Sequence, residues 1–169
     1  MKYIQNHLVT VLFVAFIVVT GTVSAQKWRQ IISFNADLQF LNLEDFKTNQ
    51  KGSPLDEHFN FDAWERVSTP HTAKVEPLVV VEPWIGESWY KKDFIASNAW
   101  RNKKVYVHFE AVMQVADVWL NGKHLLTHTG GYLPFTVDIS NEISFDKANR
   151  IIVKTFNGDN GEIPPGKPI

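Results

Sequence analysis

Apolar and polar residues alternate with a period of two over several short stretches of the chain, and no long stretch shows helical periodicity. In residues 88–95, Trp89, Lys91 and Asp93 alternate with Tyr90, Lys92 and Phe94. In residues 105–111, Val105, Val107, Phe109 and Ala111 alternate with Tyr106, His108 and Glu110, the clearest strand pattern of the chain. Residues 115–120 set Ala116, Val118 and Leu120 on one face against Asp117 and Trp119 on the other. Near the C-terminus, Ile151, Val153 and Thr155 oppose Ile152, Lys154 and Phe156. Side chains on a strand point alternately to its two faces, so each pattern predicts a strand with one face turned to a core.

Turn residues join these strands. Asn121-Gly122 tolerates positive φ at both central positions of a type I′ turn, and predicts a hairpin between residues 115–120 and 123–129. Gly130-Gly131 ends its second arm, and residues 134–139 form the next strand. Towards the N-terminus, the apolar-rich segments 29–34 and 38–43 flank a turn at Asn35-Ala36-Asp37. Residues 44–60 read as a polar loop. Residues 61–64 form a turn that seats Trp64 under the sandwich, and 65–69 a short strand ended by Pro70. A long loop follows over 71–86, with an edge strand at 79–81, and residues 157–169 are loop again. About eight short strands with long, uneven connections and no helical layer predict an antiparallel β-sandwich, a jelly roll rather than a closed barrel.

The first 25 residues are expected to lie outside this fold. Lys2 precedes the apolar run of residues 8–19, and Val23-Ser24-Ala25 matches a signal-peptide cleavage site before Gln26. Twelve residues rise about 18 Å as a helix, short of a hydrocarbon core of roughly 30 Å. A retained membrane anchor is the alternative. Cleavage would leave residues 26–169 as one domain, with 16 Lys+Arg against 18 Asp+Glu. Without a basic stripe, nucleic acid is not an expected partner. The chain has no Cys, so an exported protein of this kind would hold its core without disulfides, which suits a bacterial periplasm or surface. No membrane contact is expected after cleavage.

Candidate chemistry is sparse. His124 and His128 would share one face of a strand about 13 Å apart, too far to bind one metal by themselves. Glu110, Asp117 and Asp138 lie in strands, and glycoside hydrolysis needs two carboxylates roughly 5–10 Å apart. Asp117 suits a different task, accepting hydrogen bonds from loop backbone to pin the hairpin. No nucleophile elbow, phosphate loop or cofactor fingerprint is present. Aromatic residues make up 13% of the chain; such rings stack on sugars, and they also fill sandwich cores.

The hairpin and its surroundings carry a family resemblance. Phe109-Glu110-Ala111-Val112, Ala116-Asp117-Val118-Trp119-Leu120-Asn121-Gly122-Lys123, His128-Thr129-Gly130-Gly131-Tyr132-Leu133-Pro134-Phe135 and Asp138-Ile139 closely resemble the N-terminal sugar-binding jelly roll of glycoside hydrolase family 2. WERVSTPH at 64–71, GESWYKKDF at 86–94 and IPPGKP at 163–168 resemble further family segments, so the likeness covers residues 31–169. Leu38 and Ala73 stand where the family often has aromatic residues. The resemblance implies an enzyme of several hundred residues, including β-galactosidases and β-glucuronidases, with an immunoglobulin-like domain and a catalytic TIM barrel. Both catalytic glutamates lie in that barrel, so no residue of this chain is expected to be catalytic. The family's jelly roll also lends the active site an Asp shortly after the Pro-Pro-Gly loop, beyond Ile169.

Three readings follow. The chain is the N-terminal carbohydrate-binding domain of an exported β-glycosidase, whose partners are a β-glycoside and the catalytic domains of the same enzyme. Alternatively it is a free-standing carbohydrate-binding protein, or a structural sandwich with no ligand. Trp84, in a Pro-flanked loop, and Asn157, Asp159 and Asn160 are the candidate sugar contacts; ordinary loop packing would account for the same residues. No metal or cofactor is expected.

Overall fold

In the computed structural model, the residues described are 29–43, 52–73, 84–158 and 160–161. The chain divides into two compact units, Met1–Phe34 and Asn35–Ile169. Residues 29–34, the described part of the first, form no strand. The signal segment 1–25, the edge strand expected at 79–81 and the Pro-Pro-Gly loop lie outside the described residues.

The second unit is a β-sandwich of unequal layers. Its strands are β1 (Leu38–Asn42), β2 (Glu65–Val67), β3 (Glu87–Ile95), β4 (Tyr106–Phe109), β5 (Val115–Leu120), β6 (Lys123–Thr129), β7 (Phe135–Asp138) and β8 (Ala148–Phe156). Six make one sheet in the order β2-β1-β3-β8-β5-β6, and β4 and β7 make a second. Every pairing is antiparallel. Among the described residues a 3-10 turn, Asn98–Trp100, is capped by Ser97; the sequence pattern had not indicated it.

Between the layers, Ala116, Val118 and Leu120 are fully buried with Val137, Ile139, Ile143, Ile151 and Val153. The alternation in β5 is therefore the core signal it was expected to be. The strand with the clearest alternation is shorter than its pattern: β4 covers only 106–109, and Tyr106 is exposed. It pairs with β7 alone, so its inward residues Val107 and Phe109 are half-buried at the margin of the core.

The outer face of the large sheet is covered too. Leu41, Phe61, Trp64 and Ile152 are buried there, with Leu55, Phe59, Trp89 and Trp119 packed around them. Residues 52–64 supply the cover. Asp56 N–H donates to the Ser53 carbonyl (2.9 Å) and Ser53 N–H to the Asp56 carboxylate (2.8 Å), closing a first turn. Trp64 N–H donates to the Phe61 carbonyl (3.0 Å), closing the second. That turn seats Trp64 as its sequence suggested. Burial on both faces explains why Ile151, Ile152 and Val153 are all buried in succession along β8.

The hairpin turn has Asn121 at φ 52° and Gly122 at φ 84°, the positive pair of a type I′ turn. Asn121 also fastens the neighbouring strand: its Oδ1 accepts from Arg150 N–H (2.9 Å), and its Nδ2 donates to Asn149 Oδ1 (3.0 Å) and to the Glu142 carbonyl (3.1 Å).

Candidate functional site

Of the sequence-predicted site residues, Trp84 precedes β3, and Asn157 and Asn160 follow β8. Asp159 is outside the described residues; Trp84, Asn157 and Asn160 are each partly buried. Trp84 and Asn157 are held together through backbone. Asn157 Oδ1 accepts from Gly86 N–H (2.7 Å), Nδ2 donates to the Trp84 carbonyl (2.9 Å), and Asn157 N–H donates to the Gly86 carbonyl (3.3 Å). The Trp84 indole folds over Gly86, where an added Cβ would lie 2.5 Å from Cζ2. Asn157 thus clamps the loop before β3 to the end of β8, and both ends of its amide are engaged in doing so.

A polar cluster occupies the outer face near the hairpin. Thr127 Oγ1 and Lys154 Nζ (3.1 Å) donate to the Asp117 carboxylate, and His124 Nε2 lies 3.3 Å from it. Partial burial pushes this carboxyl up, but the hydrogen bonds from Thr127 and Lys154 and the Lys154 charge outweigh it and hold Asp117 below the ordinary carboxylate range. Asp117 therefore ties β5 to β6 and β8 through side chains, where loop backbone had been the expected donor. Beside it, Trp119 stacks on Trp89 with ring centroids 5.9 Å apart.

The two histidines of β6 do not share a face. The register shifts opposite Val118 and Trp119, so that Leu126 pairs with Val118 and His124 with Trp119. Leu125 is the extra residue of a β-bulge, which reverses the alternation between the two histidines. His124 stands on the outer face beside Asp117 and Trp119. His128 turns inward and stacks on Phe135 of β7 (4.1 Å). Nothing in the residue types marked the bulge.

The acids weighed for hydrolysis are placed apart. Asp117 is on the outer face of the large sheet, and Asp138 is on β7 of the small one. Asp138 accepts from Ser140 N–H (2.9 Å) and from Lys104 (3.0 Å); the Ser140 hydrogen bonds come first among the causes that hold it at about 2. Glu110 is exposed beyond the end of β4. Further along the outer face, Asp93 accepts from Lys91 (2.7 Å) and Arg150 (3.0 Å). Burial opposes the negative charge there, and those two cations more than offset it, so Asp93 is also lowered. Inside the sandwich, His71 Nδ1 lies 3.0 Å from the Tyr90 hydroxyl, a phenol that burial pushes up to about 12. No cluster of three or more His, Asp or Glu suited to a metal occurs among the described residues.

One feature escaped the sequence reading: a shallow depression of about 430 Å³ lined by Arg101, Lys103, Lys104, Ser140, Asn141 and Phe145. The basic run at 101–104 was its visible signal. Arg101 pairs with Asp146 and Lys104 with Asp138, each at 3.0 Å, so much of its charge is already compensated. None of these arrangements supplies a nucleophile with a base.

Comparison with known proteins gives the arrangement a context. Residues 53–164 match the family described as "Glycosyl hydrolases family 2, sugar binding domain". A β-galactosidase of Thermoanaerobacter pseudethanolicus is 36% identical over 142 residues, covering 81% of this chain and 18% of its own. A β-glucuronidase of Formosa agariphila is 34% identical over 144 residues, covering 79% of this chain and 14% of its own. Among solved structures, Bacteroides uniformis β-glucuronidase superposes with a TM-score of 0.70 at 24% identity, over 80% of this chain and 15% of that one. A β-glucuronidase from glycoside hydrolase family 2 superposes with a TM-score of 0.61 at 29% identity, over 79% and 15%. The chain thus spans less than a fifth of the length of these relatives. With the superposition and the sequence in agreement, the chain belongs to glycosyl hydrolase family 2, as its N-terminal sugar-binding β-sandwich domain.

Proposed function

We propose that this domain supports the hydrolysis of a β-glycoside, a β-galactoside or β-glucuronide, with the bond cleavage carried out by a catalytic domain outside these residues. The observation that carries the reading is the family match; Asp117 and Asp138, engaged by Thr127 and Lys104, lie on different sheets. The substrate class comes from the relatives, a β-galactosidase and a β-glucuronidase. Trp84, Asn157, Asp159 and Asn160 are the proposed contacts to carbohydrate, with Asn157 acting by setting the loop that carries Trp84. The basic, short apolar leader of residues 1–25 supports export to a bacterial periplasm or medium, with maturation before Gln26. No helix among the described residues is long and apolar enough to cross a membrane.

The purified chain is expected to release no nitrophenol from nitrophenyl β-galactoside or β-glucuronide above the buffer rate; turnover that survives repurification would overturn the proposal. N-terminal sequencing after expression in a bacterium tests the leader: Gln26 is the expected first residue, and a retained Met1 would refute export by cleavage.

A further inference from the structure

Basic side chains gather at the end of the sandwich where β8 begins. Arg101, Lys103 and Lys104 line the depression of about 430 Å³, and no carboxylate lines it among the described residues. Lys123 and Lys147 lie at the neighbouring turns. Together these cations outnumber Asp138, Glu142 and Asp146 there, on a chain whose formal charge is −1. The aspartate pairs do not exhaust them. Arg101 spends Nε on Asn98 Oδ1 and Nη2 on Asp146, each at 3.0 Å, and Nη1 has no partner among the described residues. Lys104 spends one of its three donors on Asp138, and the Lys103 ammonium has no partner among the described residues. The Arg101 and Asp146 side chains are 48% and 88% exposed, and an ion pair so exposed is weak enough to exchange for another anion. The frame beneath is fixed. Val105 N–H donates to Ser140 Oγ (2.9 Å) and Ile139 N–H to the Val105 carbonyl (3.0 Å), joining the two loops. The Arg101 guanidinium lies over the Phe145 ring, 4.7 Å from its centroid, and Trp100 packs on the inner cluster.

A carboxylate carried among hydroxyl groups fits this lining. The guanidinium fork matches carboxylate geometry, and the ammonium groups add point charges. The Asn102 and Asn141 amides line the same depression, and an amide both donates and accepts, as sugar hydroxyls require. We propose that the depression is a second carbohydrate site, which binds a uronate residue of an acidic saccharide. It is remote from the proposed contacts at Trp84 and Asn157, which sit at the other end of β8, a strand of nine residues that rises about 27 Å. The inference rests on reading the chain as a domain that supports cleavage of a glycoside. A site at this distance would hold an acidic polymer on the domain without entering the reaction. Nucleic acid fits less well, because the cations fill one depression and form no stripe along the surface.

Isothermal titration of the full chain with trigalacturonate, uncharged maltotriose, triglutamate and a thymidine trinucleotide tests this. Trigalacturonate is expected to bind with a Kd on the order of 0.1–1 mM, as a few exposed charge-assisted hydrogen bonds supply, and maltotriose to give no heat. Arg101→Gln and Lys103→Gln should each weaken it about fivefold, with melting temperatures within about 2 °C of the parent, and Lys103→Arg should keep the affinity. Lys147→Gln removes the same charge outside the lining and Trp84→Ala alters the opposite end; each should change the Kd less than about twofold. No binding of trigalacturonate overturns the proposal. Equal affinity for triglutamate or the trinucleotide overturns the sugar as ligand. A Lys147→Gln loss as large as that of Lys103→Gln shows diffuse attraction and overturns the site, and a loss confined to Trp84→Ala moves the sugar to the other end and overturns it too. Hydrolysis plays no part in this measurement. Absent binding leaves the proposed support of glycoside cleavage standing, whereas nitrophenol release by the pure chain would refute that support and leave the depression untouched.

Discussion

At the scale of single residues, two asparagines illustrate how burial sets the worth of the same amide. Asn149 is fully buried. Its Oδ1 accepts from Ser144 N–H (2.7 Å) and Asn121 Nδ2 (3.0 Å), and its Nδ2 donates to the Ser144 carbonyl (2.7 Å). Asn157 makes a similar set of bonds at the partly exposed end of β8. Removing the Asn149 side chain strands buried groups without water to replace it, at about 1–3 kcal/mol each for the worst placed. Asn149→Ala is therefore expected to lose about 3 kcal/mol, and Asn157→Ala about 1 kcal/mol, because water can reach the freed Gly86 and Trp84 groups. Urea midpoints of the two variants decide this; equal losses would mean that the 84–86 loop is as dry as the Asn149 pocket. Asn157 was legible in the sequence as a loop residue of interest, and Asn121 as a turn former. Asn149 was not, because a polar residue at a strand end looks the same whether it faces water or closes a turn.

At the scale of elements, the outer face of the large sheet is crossed by two ionic rows. Asp117 on β5 meets Thr127 on β6 and Lys154 on β8, and Asp93 on β3 meets Lys91 and Arg150. Both carboxyls are lowered in the folded protein. A lowered acid contributes stability that is complete above its unfolded value, about 3.9, and that fades as pH falls through the folded value. The melting temperature should therefore drop as pH is lowered from about 5 to 3, and the Asp93→Asn, Asp117→Asn double variant should start lower and show a shallower slope. An unchanged slope would assign acid sensitivity to other carboxylates. The sequence revealed these strands through their period of two and placed Asp117 opposite the core face of β5. It did not reveal the partners, since the Leu125 bulge shifts β6 by one residue and decides that His124, and not His128, joins Asp117. A bulge depends on how two strands pair, and a one-residue slip moves side chains to the other face.

At the scale of the whole domain, the large sheet is a shared wall between two apolar clusters. Alternation within strands predicted the inner cluster. The outer one was visible only as Trp64 in its turn, because Leu55, Phe59 and Phe61 sit in a polar-looking segment whose use as a cover depends on long-range packing. The sheet couples the two clusters: Ile152 belongs to the outer one, and its neighbours Ile151 and Val153 to the inner. Loss of either cluster should therefore weaken the same strand and melt the sandwich as one unit. Trp64 is 4% exposed and packs edge-on against Phe61 (5.0 Å) and Phe59 (6.1 Å). Trp64→Ala is expected to cost about 3–5 kcal/mol and Leu120→Ala about 2–5 kcal/mol. Because β8 serves both clusters, each variant should lower a single transition, seen alike by near-ultraviolet dichroism and by hydrogen exchange in β5 and β8. If Trp64→Ala instead releases an early transition that leaves exchange in β5 and β8 unchanged, residues 52–64 form a separate flap. The outer face with Asp117, Trp119 and Trp89 would then open independently of the sandwich beneath it.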